Sequence, residues 1–499
     1  MRLWPFVLIV MLSACSSTNR PSSLPLAEWQ QQALTAGWLT THSLGTRDWL
    51  VIALANAEPQ QNLKLYNTLL KYLLTECLDE QEPVCNNVKI SCEPLCKGLS
   101  VPHDTVISEH AIGVSGYHFR PRVEGVEAFY PIEGVYQPVT FISSPNHLGL
   151  EIKPIYLYDL DQDPIFMGIS LKQDYVMPYE ELLANAIIQQ YETTGVFQSK
   201  DERYFGIYRL QPLDVNKDIV LMIHGLNSSP VIWSAISKAI LSRPSLVERY
   251  QIWHVYYETG SPPFYNAQRI RAALKHMLIP FQKVGKRPSM TVVGHSMGGI
   301  IAKILATNSK ELLWNTTFNV SYSDLANLFG PVVDEARKIL YFQSIEGINK
   351  IIFIDTPHRG AKLSKSWLAR IISIFISLPR KLLSTFSFSN KMQGIVKSQM
   401  APYLQAGVPP SIDVLQSDHP LTHIFSEMVP DKRIDAWSVI GNNVEGCFSV
   451  EKRCANDGVV DYSSAHQEYA PEIIVKSKHN SYRHPDTVDL VLKILSDIK

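Results

Sequence analysis

From Asp218 to the C-terminus, short apolar runs alternate with stretches of helical period, and no other feature limits the fold as much. Ile219–Ile223, Ile252–Tyr256, Met290–Val293, Ile351–Ile354, Ile434–Ile440 and Ile473–Val475 read as strands, with helical segments such as Ala267–Phe281 and Ile300–Thr307 between them. Strands that are apolar on both faces need cover on both faces. The alternation therefore predicts a mainly parallel sheet with helices on each side, an α/β architecture. The final stretch, Pro485–Ile498, opens on proline, carries Asp486 in its first turn and aligns Val488, Leu492 and Leu495, which predicts a closing helix. Upstream the pattern is less regular. Residues 24–76 carry helical runs around Leu65–Leu70, and residues 110–170 alternate in short runs broken by Pro and Gly, as in Val135–Phe141. The change of pattern predicts a mixed α+β accessory domain over 24–204 and the α/β domain over 205–499.

Composition removes several classes. With 499 residues, 45% hydrophobic and 19% charged, the chain can bury a large core, so wholesale disorder is excluded. Its 46 basic residues nearly balance 47 acidic ones, which argues against a bulk electrostatic fit to nucleic acid. No repeat of 20 to 50 residues is visible.

The N-terminus reads as an export signal. Arg2 precedes an apolar run from Leu3 to Leu12, too short to span a hydrocarbon core of about 30 Å comfortably. The run ends in Leu12-Ser13-Ala14-Cys15, which resembles the lipobox of bacterial lipoproteins. That resemblance implies cleavage after residue 14, acylation of Cys15 and a short tether over 15–23. Ser16 after the cysteine implies the outer membrane, reached through the lipid anchor rather than a transmembrane helix. Six further cysteines in an exported chain suggest disulfides. Cys447 and Cys454 stand apart as a pair, while Cys77, Cys85, Cys92 and Cys96 allow three pairings; their spacing matches no common zinc pattern.

The chemistry-bearing residues lie at the ends of the expected strands. Gly294-His295-Ser296-Met297-Gly298-Gly299 follows the strand Met290–Val293 and precedes a helix. A serine on so sharp a turn projects its hydroxyl above the sheet, and the glycines keep Cβ atoms out of the way. The helix start also offers backbone N–H groups to a developing oxyanion. His224-Gly225-Leu226-Asn227-Ser228-Ser229-Pro230 follows another strand, and Asp355-Thr356-Pro357-His358-Arg359-Gly360 a third. Asn456-Asp457-Gly458-Val459-Val460-Asp461 follows a fourth, and His479 and His484 lie just past the last.

Together these segments resemble the lipase and esterase branch of the α/β-hydrolase superfamily, and the Thr-Pro-His-Arg-Gly run resembles lipases related to GPI inositol deacylases. The resemblance covers residues 205–499, with a looser likeness from Tyr130 to Asp159. It implies Ser296 as nucleophile, His479 as base and Asp457 as the acid that orients it, in that chain order. It places the oxyanion hole at the N–H groups of Leu226 and Met297, and leaves His224 to pin its loop. His484 is the alternative base, Asp461 and Asp355 are alternative acids, and His358 is a further alternative base. Asp461 departs from the proline common at that position. No metal or organic cofactor is called for. The expected substrate is a lipid or hydrophobic ester, with acyl transfer or thioester cleavage open to the same residues, as is an idle binding role. Residues 361–391 hold six basic and no acidic side chains among apolar ones, which suggests a cap or lid over about 361–405.

Overall fold

The computed structural model describes residues 24–39, 48–78, 88–90, 98–102, 104–147, 149–160, 164–186, 205–330, 333–361, 394–400, 415, 417–447 and 452–497. The expected signal, Cys15, the tether, Cys85, Cys92, Cys96 and nearly all of the expected cap lie outside these residues. Contacts divide the chain into two units, one of residues 1–115, 140–155 and 160–172, the other of 116–139, 156–159 and 173–499. The sequence reading cut the chain once, near residue 204. The chain instead passes between the units several times, because segments upstream of 204 carry core side chains of the second unit. Tyr179, for example, packs in one cluster with Val220, Trp233, Ile236 and Ile252.

In the first unit the helix Leu63–Leu78 buries Leu65, Leu69, Leu70, Leu73 and Leu74 along one face. Its buried Asn67 ties down the segment before Val114, donating to the carbonyls of Ser108 and Ala111 and accepting from Gly113 N. The strands β1 (Val88–Ile90), β2 (Leu99–Ser100), β3 (Val114–Arg120), β4 (Val135–Asn146) and β5 (Gly149–Tyr156) form a five-stranded sheet in the order β1-β5-β4-β3-β2, of which Gly116–Arg120, Val135–Val139 and Tyr156 count with the second unit. A small antiparallel pair, β6 (Ile165–Phe166) and β7 (Ile169–Ser170), completes the unit's sheet structure among the described residues. Cys77, at the end of the long helix, is disulfide-bonded.

The second unit is built on seven strands: β8 (Gly206–Arg209), β9 (Asp218–Ile223), β10 (Tyr250–Tyr256), β11 (Met290–His295), β12 (Ile348–Ile354), β13 (Asp435–Gly441) and β14 (Glu472–Val475). Their order is β14-β13-β12-β11-β9-β10-β8, parallel throughout except for β8, which runs antiparallel along β10. Successive side chains point to opposite faces. Leu221, Val292, Ile351 and Phe353 therefore join the helices Pro263–Met277 and Met297–Leu305 on one side, while Val220, Val293, Ile352 and Val439 meet Ser234–Leu241 and Pro485–Ser496 on the other. With this strand order, one antiparallel edge and helices on both faces, the unit has the α/β-hydrolase fold. Among the described residues no helix is long and apolar enough to cross a membrane.

Candidate active site

In an open parallel sheet the carboxyl ends of the strands carry the loops that meet in the crevice. Ser296 follows β11 in a backbone conformation of φ 54° and ψ −123°, with its N–H bonded to the Ile354 carbonyl of the neighbouring strand. The turn tolerates no side chains around it. A Cβ on Gly294 would come within 2.6 Å of the Gly298 carbonyl oxygen; on Gly298 it would overlap the Ile223 carbonyl, and on Gly299 the Thr356 side chain. Opposite, Gly225 lets the loop after β9 approach, since a Cβ there would lie 2.9 Å from that of Ser296.

Three of the sequence-predicted residues come together here. Ser296 Oγ lies 2.9 Å from His479 Nε2, and His479 Nδ1 lies 2.7 Å from Asp457 Oδ2. The other oxygen of Asp457 accepts from the N–H groups of Val459 and Val460 at 2.8 and 2.7 Å, so the turn after Gly458 holds the carboxylate in place. Burial alone would lower the His479 imidazole; the hydrogen bond and charge of Asp457 outweigh it and hold the ring above its ordinary value. Among the described residues no acceptor is bonded to the N–H of Leu226 or of Met297. Met297 opens the helix Met297–Leu305, the end of positive dipole.

The alternatives sit elsewhere. His484 caps the last helix, its Nδ1 accepting from Asp486 N at 3.3 Å. Asp461 precedes a short helix and accepts from Asn456 Nδ2 at 2.5 Å. His358 is buried edge-on to Phe353, and neither of its nitrogens has a hydrogen-bond partner among the described residues. Its burial holds it well below an imidazole's ordinary value. His224 is likewise buried, stacked on Tyr257 at 4.4 Å, with Nδ1 3.0 Å from the Gly225 carbonyl, and burial lowers it to about 4. Cys447 and Cys454 form a disulfide in the loop before Asp457.

Asp355 has a different place from the one sequence suggests for an alternative acid. It follows β12 at φ 49°, is fully buried, and turns its oxygens to neighbouring loops. Oδ1 accepts from Gly441 N at 2.9 Å and Ser481 Oγ at 2.8 Å, and Oδ2 from Ser481 N at 2.9 Å. Burial raises its carboxyl to about 6, with Asp457 adding to the rise and His479 opposing it. The carboxylate thus ties the end of β13 to the residue two places after His479. His295 completes the surroundings: its ring lies 5.0 Å from His479 and edge-on to Tyr482 at 4.8 Å, with Nε2 3.8 Å from Asp355. His295, Asp355 and His479 are also the one trio among the described residues whose ligand atoms lie close enough to share a metal ion. Both His479 nitrogens are already hydrogen-bonded, so a cation there would have to break the Ser296 or Asp457 contact.

No protein-family model matches the chain, and no curated protein matches it. Solved structures similar to it include the mature lipase BlEst2 of Bacillus licheniformis, at 15% identity over 58% of this chain and 98% of that one, with a TM-score of 0.33. The phospholipase PlaB of Legionella pneumophila matches at 13% identity over 56% of this chain and 60% of that one, with a TM-score of 0.34. The metagenomic carboxyl esterase MGS0156 matches at 15% identity over 65% and 92%, with a TM-score of 0.31.

Proposed function

We propose that this chain is a serine hydrolase of carboxylic esters, acting on lipid or other hydrophobic esters. The observation that carries the reading is the unbroken chain of hydrogen bonds from Ser296 through His479 to Asp457 beneath a strained strand-to-helix turn. In the reaction, His479 Nε2 takes the proton of Ser296 Oγ as the oxygen attacks the acyl carbonyl. The N–H groups of Leu226 and Met297 receive the oxyanion, each such donor lowering a barrier by about 3 kcal/mol. His479 then returns the proton to the leaving alcohol, and a water repeats the sequence on the acyl-enzyme to release the acid. Asp457 holds the imidazole tautomer and stabilises its charged form. An alcohol in place of that water would make the reaction acyl transfer, with the same residues in the same roles. The lipobox-like Leu12–Cys15 supports a bacterial envelope lipoprotein, with the reaction taking place at the membrane surface; the Thr-Pro-His-Arg-Gly segment supports kinship with GPI inositol-deacylase-like lipases.

A fluorophosphonate probe tests the chemistry directly. The full-length protein is expected to be labelled once, and Ser296→Ala not at all, with ester turnover lost in parallel. Equal labelling of both, or of neither, would overturn the assignment.

A further inference from the structure

Away from Ser296, the second unit contains a cleft in two joined parts that the proposed reaction does not use. Pro131, Tyr179, Leu182 and Leu210 line both parts. One part, a narrow slot of about 60 Å³, is walled mainly by Ile132, Leu183, Ala186, Val231 and the rings of Tyr208 and Tyr256. The other, about 20 Å³, is lined by Tyr130, Tyr136, Tyr158 and Tyr175 together with Arg209. The Arg209 guanidinium packs over the rings of Tyr130 and Phe129, at 5.0 and 5.7 Å. Its buried Nε has no acceptor, and the group joins no ion pair among the described residues. The nearby carboxylate of Glu127 is instead paired with Arg120 at 2.7 Å. The one acidic residue lining either part is Glu133, at the apolar end, where burial raises its carboxyl.

An apolar trough ending in an aromatic-backed guanidinium, which feels the charge of Glu127 but makes no contact ion pair among the described residues, matches a single chain with an anionic head. We propose that this cleft binds a long-chain fatty acid, its carboxylate at Arg209 and its alkyl chain along the Leu183–Val231 side. A guanidinium desolvated on one nitrogen gains most from a planar carboxylate, which can take two of its donors at once. The chain's methylenes leave water for the trough, each worth about four-fold in affinity. The inference stands on the cleft alone and does not depend on the hydrolase reading.

Calorimetric titration of the full-length Ser296→Ala protein tests it, with dodecanoate kept below its micelle concentration. Dodecanoate is expected to bind saturably at one site, while hexanoate and dodecyltrimethylammonium leave the calorimeter silent. Arg209→Gln should weaken dodecanoate about ten-fold or more. Arg209→Lys, which keeps the charge, should lose less, and Leu183→Trp, which fills the trough, should abolish binding. Absence of saturable binding, equal binding of the cationic amphiphile, or affinity unchanged in both Arg209→Gln and Leu183→Trp would each overturn the proposal. Should Arg209→Gln fail to fold, the Leu183→Trp and Arg209→Lys arms still decide it.

Discussion

At the scale of single residues, two buried carboxylates flank one imidazole and do different work. Asp457 faces the His479 ring and lifts its affinity for protons. The base must be neutral to act, so turnover should rise with pH through a midpoint above the ordinary imidazole value of about 6.5. Asp457→Asn removes most of what lifts the ring, leaving the charge of Asp355 against the burial that lowers it. The ascending limb of the rate profile should then move to lower pH, while kcat falls by a factor on the order of 10³–10⁴. A limb that stays in place would show that another group sets it. Asp355 acts through backbone, by holding Gly441 and Ser481. Asp355→Ala should therefore slow fluorophosphonate labelling by a factor on the order of 10² through misplacement of His479, with KM little changed. Labelling at the wild-type rate would reduce Asp355 to a purely structural tie. That Ser296, Asp457 and His479 meet was legible in the sequence because each sits in a short motif in the segment following an apolar run. Asp355 was noticed for its motif, but its role was not legible: it depends on Gly441 and Ser481, neither of which any local pattern connects to it. His295 was missed as a neighbour of His479, since only the fold brings its ring there.

Between elements, the turn that carries Ser296 depends on contacts that only glycine allows. The strand β11 and the helix after it close on each other where Gly294 meets Gly298, and Gly299 meets the loop after β12 at Thr356. Gly299→Ala should lower the unfolding midpoint markedly and reduce soluble yield, because its new methyl would overlap the Thr356 hydroxyl and press on the Cγ2 and Cβ of that buried side chain. A normal melt would show that Thr356 gives way. The disulfide Cys447–Cys454 closes a short loop that leads into Asp457. Replacing both cysteines by alanine should cost about 2–3 kcal/mol of stability in the chain-entropy view. Activity under reducing agent should fall with it, and an inert response would separate the bridge from the site. The strands of the seven-stranded sheet are readable as apolar runs because both faces are buried, whereas the five-stranded sheet mixes buried and half-buried positions, so the sequence predicts there only a mixed α+β domain.

For the molecule as a whole, a buried amine shows how the helix after Ser296 is anchored. Lys303, two turns beyond Ser296, is almost fully buried and donates to the Phe425 carbonyl at 2.8 Å and Gln467 Oε1 at 3.3 Å, with Tyr469 beside it. Burial lowers it to about 7, with Arg359 adding to the fall, whereas an unfolded lysine titrates near 10.4. Between those values the unfolded chain holds a proton that the folded chain has released. Stability therefore rises with pH across that window and is lowest below it. Wild-type protein should gain more in unfolding midpoint from pH 6 to pH 9 than Lys303→Met does; equal gains would mean the amine stays charged. The several passages of chain between the two units carry a second consequence. A fragment of residues 205–499 lacks Tyr179 and the helix Met177–Ala184, so it should expose the cluster around Trp233 and Ile236 and bind a hydrophobic dye that the full chain does not.

The Ser296 oxygen, the His479 ring and the Asp457 carboxylate behind that ring all lie on segments that follow strands of a single sheet, Ser296 directly after β11, His479 four residues after β14 and Asp457 at the far end of the disulfide-closed loop after β13. The long connection between β12 and β13 supplies none of them. The distances between the three side chains are therefore set by where the strands end and by the loop over 442–457, so a change of length in the connection after Asp355 need not alter them.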